Sequence, residues 1–114
     1  PIVLNNYAYH WSVQAKNLDT ALEYSKRAVE AEPDNAPYLD TLGWIYFQLG
    51  DYEQAKQYIE MALELSPDTA EVIEHLGDVY NKLGQQAIAQ QFWRKAYELD
   101  ERRVRILQKL ERSE

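Results

Sequence analysis

Residues 36–69, APYLDTLGWIYFQLGDYEQAKQYIEMALELSPDT, run directly into residues 70–103, AEVIEHLGDVYNKLGQQAIAQQFWRKAYELDERR, and the second stretch repeats the first. Ala36, Leu42, Gly43, Tyr46, Leu49, Gly50, Ala55, Gln57, Ala62, Glu64 and Leu65 recur 34 positions later as Ala70, Leu76, Gly77, Tyr80, Leu83, Gly84, Ala89, Gln91, Ala96, Glu98 and Leu99. Leu39 with Ile73, Asp40 with Glu74 and Tyr58 with Phe92 are conservative at the same offset. The register extends backward, because Pro33 precedes Pro67, and Ala21 and Ala28 precede Ala55 and Ala62, by the same interval. A period of this length marks a chain of stacked supersecondary units. Three are expected, at 2–35, 36–69 and 70–101.

Each unit reads as two helices. Asp34 or Asn35, and Asp68 or Thr69, are N-cap candidates that satisfy free amides of the next helix, and Pro37 suits a first turn that needs no donor. Leu39, Leu42, Gly43 and Tyr46 then follow on one helical face. Gly50 and Gly84 fall where helices end, and Pro33 and Pro67 close the second helices. Gly43, Ala55 and Ala62, with their counterparts one period on, are small enough to let helix backbones approach, while Trp11, Tyr46, Tyr80 and Trp93 fill the remaining space. A pair of such helices cannot bury its apolar stripe alone, so neighbours must stack. The spacing predicts antiparallel helices near 3–15, 18–31, 36–49, 52–65, 70–83 and 86–99.

The period, the Leu-Gly followed by Tyr, the Gly turn, the paired Ala and the closing Pro together resemble the tetratricopeptide repeat (TPR). That resemblance covers residues 2 to about 100 and implies an all-α superhelical solenoid, an α-α superhelix of three helix-turn-helix repeats. The first unit departs from the pattern, with Tyr7-Ala8 in place of Leu-Gly and one extra residue that enlarges the turn at Lys16-Asn17. In finer detail the run Leu4 to Tyr9, Tyr38 to Trp44 and Glu74 to Asp78 are similar to the last repeats of long bacterial TPR proteins.

After Asp100 the expected Pro is replaced by Glu101, and Val104, Ile106, Leu107 and Leu110 make one more apolar stripe on a basic segment. Solenoids need an end cap with a polar outer face, which this segment, near 102–112, supplies. No Gly or Pro occurs between Gln85 and Glu114, so the break near 100–102 has no residue that compels it.

Composition narrows the function classes. The 114 residues suffice for one domain with a modest core. Residues 1–100 carry seven basic and sixteen acidic side chains, and residues 101–114 carry five basic and three acidic, a balance of −9 against +2. An acidic body argues against phosphate-directed nucleic-acid binding, and no apolar run is long enough for direct membrane insertion. The lack of Cys removes disulfides and thiolate chemistry but is compatible with an oxidising or a reducing compartment. The chain opens without Met, inside what reads as a helix, so it is expected to be part of a longer protein and its localisation is not specified.

Glu71, Glu74, His75 and Asp78 fall at helical spacings that would let them converge on a divalent metal. One His among carboxylates is a weak ligand set, however, and a solvated acidic face is the simpler reading. No metal or cofactor is expected. Neither a nucleophile elbow, a phosphate loop nor a His-Glu-x-x-His helix occurs, so the segment is not read as an enzyme.

In solenoids of this kind the first helices of successive units line a concave groove. The inner positions are Asn5, Asn6, Tyr9, Asp40, Thr41, Trp44, Phe47, Glu71, Glu74, His75 and Asp78, an aromatic centre with an acidic end. Tyr9, Trp44 and Phe47 point away from their partner helices, where exposed aromatics signal a ligand. The expected function is a protein-interaction scaffold that binds a peptide or partner helix carrying apolar and basic residues. The alternative is a structural end of a longer solenoid that serves self-association or spacing. Chaperone-tail-binding TPR members hold a terminal carboxylate with Lys, Asn and Arg at inner positions. The matching Asn5, Tyr9, Thr41, Glu71 and His75 offer no permanent cation, so the resemblance implies no carboxylate clamp.

Overall fold

The computed structural model describes Asn5 and residues 17–112. Among these residues there are six helices and no strand: α1 (Leu18–Ala31), α2 (Ala36–Gln48), α3 (Tyr52–Leu65), α4 (Ala70–Lys82), α5 (Gln86–Leu99) and α6 (Arg105–Arg112). The helix expected near 3–15, with Trp11 and the Lys16 side of the turn, lies outside the described residues. Each helix packs on its sequence neighbour, and α2 also touches α4 across one repeat.

The local causes are those of short punctuated helices. Asn35 caps α2 by accepting a hydrogen bond from the Tyr38 amide at 3.1 Å, and Asp51 caps α3 from Gln54 at 3.3 Å. Thr69 holds the N-cap position of α4 without a side-chain bond. Gly50 and Gly84 adopt φ of +86° and +83°, which lets the amides of Asp51 and Gln85 reach back to the carbonyls of Tyr46 and Tyr80 at 2.9 Å. Only Gly enters this left-handed region without a Cβ penalty. Asn17, before α1, is left-handed too (φ 53°), where the longer first turn was expected.

The second helices bury one stripe each. Ala21, Ser25 and Ala28 on α1 correspond, 34 and 68 residues on, to Ala55, Ile59 and Ala62 on α3 and to Ala89, Trp93 and Ala96 on α5. The first helices are buried almost all round: Val72 to Gly77 on α4 are all inside, because α4 is flanked by α3 before it and α5 after it. Gly43 and Gly77 make this possible. A Cβ on Gly43 would lie 2.5 Å from Ile59 Cγ1, and one on Gly77 would lie 2.5 Å from the Trp93 indole. The large aromatics divide: Trp93 is core, whereas Tyr46 and Tyr80 are half-buried and stack at the edge on Tyr58 and Phe92, with centroids 5.7 and 5.5 Å apart.

The cap is shorter than expected, beginning at Arg105 rather than 102. Asp100 ends α5, and its carboxylate accepts from the Arg102 amide and guanidinium, turning the chain. The shielding residue of α6 is Ile106, fully buried against Ile73, Ala89, Trp93 and Ala96, with Leu110 packed beside it. Val104 and Leu107, expected to share that role, are 62% and 46% exposed. An eight-residue helix meets the array along one narrow strip, so only two of the four apolar residues reach it.

Candidate functional site

The first-helix face is built around Trp44. Its ring stacks on Phe47 of the same helix (centroids 4.6 Å, planes 8° apart) and on His75 of the next first helix (4.1 Å, 19°). Trp44 and Phe47 are both half-buried, and Phe47 also leans on Tyr52 at the start of α3 (5.5 Å), so it is partly held by the turn. Thr41 is buried, with its hydroxyl donating back to the Pro37 carbonyl at 3.0 Å. Asn5 is buried, and Asn6 and Tyr9 lie outside the described residues.

His75 ties the two repeats together. Its Nδ1 donates to the Asp40 carboxylate, 3.0 and 3.1 Å from the two oxygens, and its Nε2 lies 3.9 Å from Glu71. Asp40, Glu71 and His75 thus bring one ligand-type atom each within 4.8 Å of one another, a different set from the four residues that helical spacing suggested. With the Nδ1 proton engaged by Asp40, the cluster reads as a hydrogen-bonded clasp. Burial alone would lower the imidazole pKa, but Asp40, Glu71 and Asp78 outweigh it and raise it.

Glu74 and Asp78 correct a sequence expectation. They do not present bare carboxylates to a ligand, because the C-terminal segment has reached them first. Glu74 is 1% exposed and accepts from Arg103 Nε at 2.6 Å and Lys109 Nζ at 2.5 Å, with Arg105 3.5 Å away. Asp78 accepts from Lys109 and from the Trp93 indole N–H at 3.1 Å. Burial would raise the Glu74 pKa, but the hydrogen bonds and charges of Lys109 and Arg103 hold it below the ordinary range. At Asp78 burial wins over Lys109 and His75 and holds the pKa above it. These groups and Trp44 line a cavity of about 270 Å³.

The sequence contained a signal for these pairings. Asp40 and His75 are 35 residues apart, as are Glu74 and Lys109, while Trp44 and His75 are 31 apart, as are Asp78 and Lys109. Lys109 therefore meets α4 as His75 meets α2, and α6 takes the place of the first helix of a fourth unit. Ile106 falls in register with Tyr38 and Val72, both buried.

Because the folded His75 pKa is raised, the imidazolium stabilises the fold fully below the unfolded value near 6.5, and that contribution is lost as pH rises through the folded pKa. The facing groups are Asp40 on α2, Glu71 and Asp78 on α4, and the Arg103, Arg105 and Lys109 cations that line the same cavity. Urea midpoints are expected to fall with rising pH across that window. His75→Phe, which keeps a ring on Trp44, should flatten the profile; equal slopes in the two proteins would show that His75 is not the titrating group.

A family model described as tetratricopeptide repeat matches residues 12–74, and a second of the same description matches residues 70–103. The chain belongs to the tetratricopeptide repeat family. Among curated proteins, the TPR chain is 51% identical over 39 residues to the BBSome complex member BBS4 of Bos taurus, which is 34% of this chain and 8% of that relative. Among solved structures, the first TPR of Spaghetti (RPAP3) bound to the HSP90 peptide SRMEEVD has a TM-score of 0.89 at 18% identity, covering 98% of this chain and 88% of that one. The Thermobaculum terrenum O-GlcNAc transferase has a TM-score of 0.90 at 24% identity, over 97% of this chain and 21% of the transferase. TTC0263, a TPR protein of Thermus thermophilus, has a TM-score of 0.74 at 27% identity, over 84% and 49%. These relatives span cattle and bacteria, so they do not single out a bacterial origin. The fold is thus an all-α TPR superhelix, a protein-interaction scaffold, and among the described residues no helix is long and apolar enough to cross a membrane.

Proposed function

We propose that this TPR array binds a peptide or partner helix on the face of its first helices, anchored at Trp44. The observation that supports it is the half-buried Trp44–Phe47 stack backed by buried His75, a rigid apolar ledge between two repeats. Desolvated aromatics set on rigid elements concentrate binding energy. The ligand carries an apolar anchor for this ledge. Its basic residues are met by Glu71, whose side chain is 40% exposed, because Asp40 is bound to His75 and Glu74 and Asp78 are matched by cations of the chain itself. Asn5, Asn6, Tyr9, Thr41 and Phe47 complete the expected groove at its N-terminal and central parts.

The RPAP3 neighbour holds an acidic peptide, SRMEEVD. Thr41, Glu71 and His75 supply no permanent cation for such a tail, and the Glu71 carboxylate would oppose it. Selection from a random peptide library on the immobilised chain tests the reading. Recovered peptides should share an apolar or aromatic residue next to Lys or Arg, and Trp44→Ala should weaken them by about 2 kcal/mol or more. Peptides bound equally by both proteins would move the binding surface elsewhere and favour the solenoid-end reading.

A further inference from the structure

The break between α5 and α6 is weakly determined. Glu101 stands where Pro33 and Pro67 end the earlier units, and no Gly or Pro intervenes after Gln85. Asp100 has ordinary extended dihedrals (φ −148°, ψ 92°), and beyond two backbone bonds, from the Arg103 amide to the Asp100 carbonyl and from the Val104 amide to the Arg102 carbonyl, the bend is supported by the pairing of Asp100 with Arg102, whose side chain is 91% exposed. Surface pairs of this kind contribute little. Against the bend stands the residue spacing itself. Ala89, Phe92, Ala96, Leu99, Arg103, Ile106 and Leu110 follow one another at alternating intervals of three and four, so one stripe, apolar save for Arg103, would run unbroken if residues 100–104 were helical. Leu99, 44% exposed in the bent form, lies on that stripe.

Straightening this segment would carry α6 out of its place. Glu74 would lose its cations, and Ile106 its cover, until a segment of the same register returned. That register is specific, since Lys109 must reach Glu74 and Asp78 while Ile106 enters beside Ile73 and Trp93. The segment that fits is α6 of a second copy.

We propose that the chain forms a two-fold dimer by reciprocal exchange of α6, with residues 100–104 as the hinge. Each copy then completes the other's third repeat and supplies Arg105 and Lys109 to the cavity beside Trp44. The contacts of α6 are the same in both forms, so the dimer differs from the monomer chiefly in the hinge, the situation in which swapping is inexpensive. The inference does not depend on peptide binding, and its test involves no peptide.

Light scattering after size-exclusion chromatography, over a series of loading concentrations, should show a species of twice the monomer mass that grows with concentration. Asp100→Ala, which removes the bend's carboxylate, should increase it. Glu101→Pro, which restores the closing Pro of the other repeats, should abolish it while leaving helix content by circular dichroism unchanged. Because the chain has no Cys, Gln86→Cys and Arg112→Cys variants, at two exposed residues that line one cavity between α5 and α6, mixed in equal amounts should be joined by a short bis-maleimide only when α6 of one copy lies on the other. A chain that is monomeric throughout, in the Asp100→Ala form as well, overturns the proposal. So does a dimer that survives Glu101→Pro or forms without the 86–112 cross-link.

Discussion

Gly77→Leu is expected to destabilise the array by about 3 kcal/mol, the upper part of the usual range for overpacking a filled core. The Cβ alone would meet the Trp93 indole at 2.5 Å and the Ala89 carbonyl at 3.2 Å, before the rest of the leucine is placed. Trp93 cannot simply turn aside, since its ring N–H is bonded to Asp78 and its body is packed on Ile73 and Ile106. The fourth and fifth helices must separate, and the cap that rests on both loses its seat. Chemical denaturation reads the effect directly. Gly77→Ala provides the graded companion, with a smaller loss of the same sign. An unchanged midpoint for the leucine variant would mean that the two helices do not meet at this glycine.

The second large effect concerns a buried charge. Replacing Arg103 and Lys109 together by Met keeps most of their apolar stems but strips Glu74 of both close partners while α6 still covers it. Uncompensated buried carboxylates cost about 3–5 kcal/mol when a pair is broken from one side. Arg105, 3.5 Å away and 69% exposed at its side chain, will recover only part of this. The pH dependence should also reverse. In the native protein the Glu74 pKa is depressed, so its contribution is present above the unfolded value near 4.5 and is lost as pH falls through the folded pKa. In the double variant burial is opposed only by the exposed Arg105, the pKa rises, and acid should stabilise rather than destabilise near that range. Adding Glu74→Gln to the double variant should return much of the loss. No recovery there would place the cost in the packing of the two stems.

The helix pairs were legible because their signals are local or strictly periodic. Gly50 and Gly84, the cap at Asn35, and the small residues at 55, 62, 89 and 96 each act within a turn or recur after 34 positions. The aromatic ledge was half legible: Trp44 stood out one residue past Gly43, but its stacking on His75 depends on how far one first helix is displaced along the next. The ion pairs at Glu74 and Asp78 were missed because helical spacing compares a residue with its own helix, and the deciding cations lie 29 to 35 residues away. The end of the stripe on the cap was misjudged for a related reason. Periodicity says which residues share a face, and it does not say how wide a strip the neighbour covers.

The residue at one position of the second helices grows along the chain, from Ser25 to Ile59 to Trp93, and the last two fill the space left by Gly43 and Gly77. The same missing methyl group is thus answered by a branched aliphatic in one unit and by an indole in the next, so the units are not interchangeable parts. A second helix grafted from the third unit onto the second would bring an indole to a gap shaped for isoleucine, and the reverse graft would leave a void beside Gly77. The order of the units is therefore written into their interiors, and recombination between them would be penalised even though their outlines coincide.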